Sequence, residues 1–148
     1  MADFLTPEQR SRRMARIRSK DTVPELVLRR ELHRLGLRFT LGNSKLPGKP
    51  DLVFPRHKAV VFVHGCFWHR HEGCSIATMP KSNTPYWQEK FDRNVERDRR
   101  VAWELGAAGW RVIVAWECGL QSKVRAGQTA AGIAAAIRAG ETPHAQLQ

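Results

Sequence analysis

The stretch HGCFWHRHEGC, residues 64–74, carries three histidines and two of the chain's three cysteines. Structural zinc takes four ligands from Cys and His, in pairs two to four residues apart with further ligands brought from elsewhere in the fold. Cys66, His71 and Cys74 have such spacing, and Cys118 is the one cysteine left over. Three thiols cannot all pair as disulfides, and a thiolate held by zinc is not free to act as a nucleophile. The plainer reading makes the cysteines small buried fillers and the histidines ordinary loop residues.

Four ligands close a structural site, which leaves His64 and His69 for other work. Asp51 opens a strand directly after PGKP, His64 closes the next strand, and Glu25 lies on a helix face that can dock at the same corner. A carboxylate at a strand bend, a second on a helix and nearby imidazoles suit one or two Mg²⁺ ions and activation of water against a phosphodiester. A histidine neutral near physiological pH can take the proton from that water. Singly, each residue has a simpler use: Glu25 in a capping box with Thr22, Asp51 at a turn, His64 as a hydrogen-bonded strand end.

These side chains need elements to position them. Thr-Pro-Glu-Gln at residues 6–9 predicts a helix over about 7–18, ringed by Arg10, Arg12, Arg13, Arg16 and Arg18 with only Met14 and Ile17 apolar. Thr-Val-Pro-Glu at 22–25 starts a second helix to about residue 35, with Leu28, Leu32, Leu35 and Glu25 on one face. Strands follow at 37–41, 51–54 and 58–64, the last two as an antiparallel hairpin. A long helix over about 84–105 has Trp87, Phe91, Val95, Ala102 and Leu105 at helical spacing. It leads to a strand at 110–117, apolar on both faces and hence covered on both. Strand, helix, strand is a crossover, so this strand runs parallel to 58–64, and Cys66 and Cys118 leave the sheet at the same edge. A last helix over about 129–139 turns Ile133 and Ile137 inward, and CGLQSKVRAGQ is the loosest internal stretch.

The length of 148 residues fits one domain, 1–148, with a polar tail from about 140. The formal charge of +11, heaviest in the N-terminal third, suits a polyanionic partner, because neutralising phosphates releases counterions. The first residues lack the apolar run of a signal peptide, and no window approaches a membrane span, so a cytoplasmic protein is expected.

PD followed by a second strand is similar to the restriction-endonuclease-like nucleases, although VFVHG stands where their second carboxylate and lysine would be. More specifically, MARIRSKDT, LPGKPDLVF, FVHGCFWHRH, FDRNVERDRR and GWRVIVAWEC, in that order between about residues 8 and 120, resemble the very short patch repair (Vsr) DNA mismatch endonucleases. The resemblance implies an α/β, restriction-endonuclease-like fold: a central mixed β-sheet flanked by helices, with a structural zinc loop. It also implies a Mg²⁺-dependent enzyme that nicks double-stranded DNA beside the T of a T:G mismatch left by 5-methylcytosine deamination.

Carried over by motif, Asp51 and the backbone carbonyl of Val63 would bind Mg²⁺ and His69 would be the general base. Glu25 and His64 would hold water or phosphate, and Cys66, His71, Cys74 and Cys118 would hold Zn²⁺. Phe67, Trp68 and Trp87 would wedge into the base stack, where unstacking is cheapest at a mismatch. Met14, Lys90 and Asn94 match further DNA-contact positions. The family implies a mismatch-repair protein partner and a cytosine methyltransferase, in a nucleoid-associated cytoplasmic setting. An asymmetric lesion gives no reason for a symmetric dimer, so a monomer is expected. One departure stands out: the gap between His71 and the next cysteine is a residue longer than the family's spacing. Two rival readings remain, a restriction-type nuclease of the same fold that cuts undamaged sites and a non-catalytic zinc DNA-binding protein.

Overall fold

The computed structural model describes residues 22–41 and 45–140. The expected arginine-ringed helix over 7–18, with Met14, and the tail beyond residue 140 lie outside the described residues.

Helix α1, Val23–Arg34, begins with a proline in its first turn and has Glu25 there and His33 and Arg34 in its last, the charge order that suits the helix dipole. Leu28 and Leu32 are fully buried, and Glu25 is buried beside them. The Thr22 hydroxyl makes no cap bond to the helix backbone; it meets Glu25 Oε1 at 3.3 Å.

The sheet has three strands in the order β1 (Leu52–Phe54), β2 (Ala59–His64) and β3 (Arg111–Trp116). β1 and β2 form the expected antiparallel pair, Leu52 opposite Val61, joined by a 3-10 turn at Pro55–His57. β2 and β3 are parallel from Ala59 opposite Arg111 to His64 opposite Trp116, so both end at one edge. The crossover is helix α2, Thr84–Ala107, and helix α3, Lys123–Ala139, follows β3.

Helices cover both faces. On one, Leu28 and Leu32 of α1 meet Phe54, Val61, Ile113 and Ala115 of the sheet and Ala130, Ile133 and Ile137 of α3. On the other, Val53, Val60 and Phe62 pack against Leu105 and Val101 of α2. Each fully buried Leu, Ile or Phe contributes roughly 1.5–3 kcal/mol, enough to fix the strand ends where the polar residues gather.

Three expectations change. Residues 37–41 form no full strand: Thr40 alone bridges Val53, and the ladder cannot extend past it because Pro55 has no N–H to donate. Val101, four residues before Leu105, lies against the sheet, whereas Ala102 is exposed. The last helix starts at Lys123 rather than near 129, because Ser122 accepts the Arg125 N–H as its N-cap, and the stretch read as loose is the 3-10 turn Glu117–Leu120 plus the first turns of α3.

Candidate active site and metal centre

The turn before β1 sits directly on α2: a Cβ at Gly48 would lie 2.4 Å from Val101 Cγ1, and Gly48 has φ +73°. Only glycine meets both demands, and this close approach delivers Asp51 to the end of the sheet. Asp51 itself is a bend residue just ahead of β1, and its Oδ2 accepts the Val63 N–H at 2.7 Å. The carboxylate therefore ties the start of one strand to the end of its neighbour.

Burial pushes Asp51 up to about 7 against the lowering effect of the Val63 N–H, and the Glu25 carboxylate beside it adds to the rise. Glu25 arrives from α1, 4% exposed, with Arg29 at 3.1 Å. Two adjacent carboxylates withdrawn from water are an oxygen-donor set that a hard divalent cation would relieve.

One residue beyond Val63, His64 points to the opposite face of the sheet. Its ring stacks on His69, centroids 3.8 Å apart and planes 4° from parallel. His69 Nδ1 lies 2.7 Å from Asp98 Oδ2 on α2. Burial pushes His64 down to about 3, His69 adds to the drop and Asp98 opposes it, so His64 is neutral under ordinary conditions. The ligand atoms of His64, His69 and Asp98 are within 4.8 Å of one another. Their geometry nonetheless suits proton transfer better than chelation: lone pairs of parallel rings lie in separate planes and do not converge on one ion. Asp98 also engages the Nδ1 of His69, leaving Nε2 as the atom that can accept a proton.

The ligand atoms of Cys66, His71, Cys74 and Cys118 also lie within 4.8 Å of one another. Cys66 Sγ and Cys118 Sγ are each 3.5 Å from His71 Nδ1. Bonds of about 2.3 Å to sulfur and 2.0–2.1 Å to nitrogen at a tetrahedral angle put S and N roughly 3.6 Å apart, so the set can hold a metal ion with little movement. Burial pushes the Cys66 thiol up to about 12, with the Cys118 and Cys74 thiols adding to it. Cys118 is raised by burial, and Cys74 is lowered by the Ile76 backbone N–H. A buried thiol surrounded by thiols is a poor acid alone and a good ligand once a cation takes the charge.

The two centres share a wall. Trp116, at the end of β3, stacks on His71 at 4.2 Å and 8° and meets His64 edge-on at 5.3 Å. Between the loop and α2 lies an aromatic platform: Phe67 stands at 90° to Trp68 at 5.1 Å and packs against buried Phe91 at 5.2 Å, while Trp68 faces Trp87 at 5.9 Å. Lys90 Nζ sits 5.2 Å over the Trp68 ring. Asn94 Nδ2 donates to the Trp68 carbonyl at 3.1 Å, so its amide holds the loop.

A sequence profile described as DNA mismatch endonuclease Vsr matches residues 2–75. A Type II nicking enzyme, V.XorIIP of Xanthomonas oryzae pv. oryzae, is 51% identical over 81% of this chain and 88% of its own length. The Type II nicking enzyme V.NmeAIP of Neisseria meningitidis is 45% identical over 83% of this chain and 87% of its own. The DNA mismatch endonuclease Vsr of Escherichia coli is 42% identical over 83% of this chain and 78% of its own. This chain belongs to the Vsr DNA mismatch endonuclease family.

Within that Vsr frame, the residues picked out by motif fall into two groups on either side of the end of β2: Asp51, Glu25 and Val63 in one, His64, His69 and the cysteine cluster in the other. His71 and Cys74 are joined by a turn in which the Cys74 N–H meets the His71 carbonyl at 3.3 Å and Gly73 takes φ +73°.

Asp98, Trp116 and Glu117 were missed. Asp98 and Asn94 continue the helical stripe of Trp87 and Phe91, so the same periodicity could have placed them facing the loop. Glu117 Oε1 accepts the Cys66 N–H at 2.9 Å, a contact its position beside Cys118 makes available. Met14 lies outside the described residues.

Proposed function

We propose that this Vsr-family chain is a Mg²⁺-dependent DNA endonuclease that nicks one strand beside the T of a T:G mismatch left by 5-methylcytosine deamination. The observation that carries the reading is a pair of carboxylates withdrawn from water, half-buried Asp51 beside buried Glu25, at the strand whose end leads into the loop of the Asp98-oriented His69. The relatives' names, mismatch endonuclease and nicking enzyme, and the charge of +11 support it.

His69 is the general base: Asp98 fixes Nδ1, and Nε2 takes the proton of the attacking water. Neutral His64, held flat against His69, and Glu25 orient that water and the phosphate. Asp51 and the Val63 carbonyl would hold Mg²⁺; a strand residue's N–H and C=O leave by the same edge, so that carbonyl opens on the Asp51 side. When bound, the ion supplies positive charge against the phosphodiester. Cys66, His71, Cys74 and Cys118 would hold a structural Zn²⁺ that fixes the loop carrying His69. Phe67, Trp68 and Trp87 are the wedge, and Lys90, whose ammonium lies over the Trp68 ring, and Asn94 are further DNA contacts. Met14 is carried as a DNA contact on the family resemblance alone.

The fold we assign is restriction-endonuclease-like, in one domain, acting as a monomer in the cytoplasm and at the nucleoid with a mismatch-repair partner. Among the described residues, no helix is long and apolar enough to cross a membrane.

The test is a strand-nicking assay on T:G, T:A and C:G duplexes of one sequence, with and without Mg²⁺. Nicking of the T:G duplex alone, and only with Mg²⁺, is expected. Equal cutting of matched duplexes would make the chain a restriction-type nuclease, and binding without scission a non-catalytic DNA-binding protein.

A further inference from the structure

We infer that Arg70 is a positioning residue for mismatch recognition, locking the Phe67 and Trp68 wedge to α2; the inference rests on the mismatch reading above. Arg70 stands between His69 and His71 with φ +54°, a left-handed backbone that a non-glycine residue rarely adopts. Its side chain holds that turn closed. Nη1 donates to the carbonyls of Phe67 at 3.1 Å and Thr78 at 3.0 Å, and Nη2 donates to that of Ala77 at 3.0 Å. The guanidinium carbon lies 4.0 Å over the buried Phe91 ring of α2 and 5.6 Å from the Phe67 ring.

One planar fork therefore joins the start of the loop, its later stretch at Ala77 and Thr78, and the helix that carries Trp87. A lysine, with one ammonium and no plane to lay on Phe91, cannot make the same set of contacts. Neighbouring functions are anchored independently: His69 by Asp98 and by its N–H to the Gly65 carbonyl, His71 by its N–H to the Cys66 carbonyl. Loss of the Arg70 side chain should thus loosen the wedge at Phe67, where Asn94 on the Trp68 carbonyl and the Phe91 ring remain as its ties to α2, while sparing the base and the cysteine cluster. Nothing in the spacing of the arginines in this basic chain distinguishes Arg70 from those that only meet solvent.

The experiment compares Arg70→Gly, which suits the left-handed turn and removes only the side chain, with Arg70→Lys, which keeps the charge. Nicking kinetics on T:G and T:A duplexes are measured along with bound metal per chain. A fluorescent adenine analogue next to the mismatch reports unstacking on binding. Both variants are expected to keep wild-type metal content and the shape of the kcat pH profile. Both should lose the fluorescence rise, with KM for the T:G duplex up by about tenfold, the scale of a cation–π contact and its hydrogen bonds. Wild-type fluorescence and T:G preference in Arg70→Gly would overturn the inference. So would full rescue by lysine, which would make the residue a simple phosphate contact, or loss of metal in both variants, which would make it a support of the cluster. A wild-type chain that does not prefer T:G would instead sink the mismatch reading itself.

Discussion

His69 Nδ1 and Asp98 Oδ2 lie 2.7 Å apart, a contact between the loop after β2 and the middle of α2. A carboxylate there keeps the proton on Nδ1 and leaves Nε2 free to accept one. In Asp98→Asn the amide can donate instead, which favours the tautomer with its proton on Nε2, where the base must be empty. Nicking should fall by about a hundredfold or more, the scale of a misoriented catalytic histidine, while DNA affinity holds. Single-turnover rates at saturating Mg²⁺ measure it, and a variant within about threefold of wild type would remove Asp98 from the mechanism.

Asp51 and His64 pull the stability curve in opposite directions. His64 has its pKa lowered from 6.5 to about 3, so between those values the unfolded chain binds a proton that the folded chain refuses, and stability rises with pH. Asp51 is raised from 3.8 to about 7, so in that window the folded chain holds the extra proton and stability falls as pH rises. Each slope is at most about 1.4 kcal/mol per pH unit, and over the shared window they largely offset. Asp51→Asn should expose the His64 slope, with stability climbing up to about pH 6.5. His64→Gln should expose the Asp51 slope, with stability declining toward pH 7. Urea unfolding in the presence of a magnesium chelator reads both; two flat profiles would contradict the assigned burial effects.

What could be read in advance followed from periodicity and ladder logic. Leu28 and Leu32 announced the buried face of α1, and the strand–helix–strand order made β2 and β3 parallel, which alone brought Cys118 to Cys66 and His71. Asp98 escaped because an acidic residue in the arginine-rich run FDRNVERDRR resembles a solvated helix face until the loop opposite is known. The strand expected at 37–41 shrank to the Thr40 bridge because alternation specifies a face, whereas pairing also requires donors that Pro55 lacks. The start of α3 was hidden for a different reason: Lys123, Val124 and Arg125 are all exposed, so the first turn carries no apolar stripe and only Ser122 marks it.

Removing Mg²⁺ and Zn²⁺, the two metals proposed for this chain, should have separable effects. The Cys66, His71, Cys74 and Cys118 set holds the loop through Trp116, whose indole stacks on His71 and borders His64. A mild chelator that strips only Mg²⁺ should stop nicking reversibly and leave the melting temperature nearly unchanged. Cys118→Ser should lower the melting temperature by about 10 °C, because binding of a structural ion contributes directly to folding stability. It should also abolish nicking even in excess Mg²⁺, since His69 shares that loop. Differential scanning fluorimetry with a metal assay checks this, and an unchanged melting temperature in Cys118→Ser would mean that the cluster holds no structural ion.

Gly48 offers a test of how the fold delivers Asp51. Alanine there would bring its Cβ to 2.4 Å from Val101 Cγ1, and the stiff β-branched valine has little room to retreat, while φ +73° adds a conformational cost. Gly48→Ala should lose about 2–3 kcal/mol of stability by urea unfolding. Adding Val101→Ala removes the two closest contacts, leaving the 101 Cβ at 3.2 Å and the left-handed backbone, so the double variant should lose less than the two single costs summed. Because Asp51 lies three residues on, the single variant should also lose nicking beyond what its unfolded fraction explains. Strict additivity of the two substitutions would show that the turn does not rest on α2, and full activity per folded molecule would show that Asp51 is positioned without it.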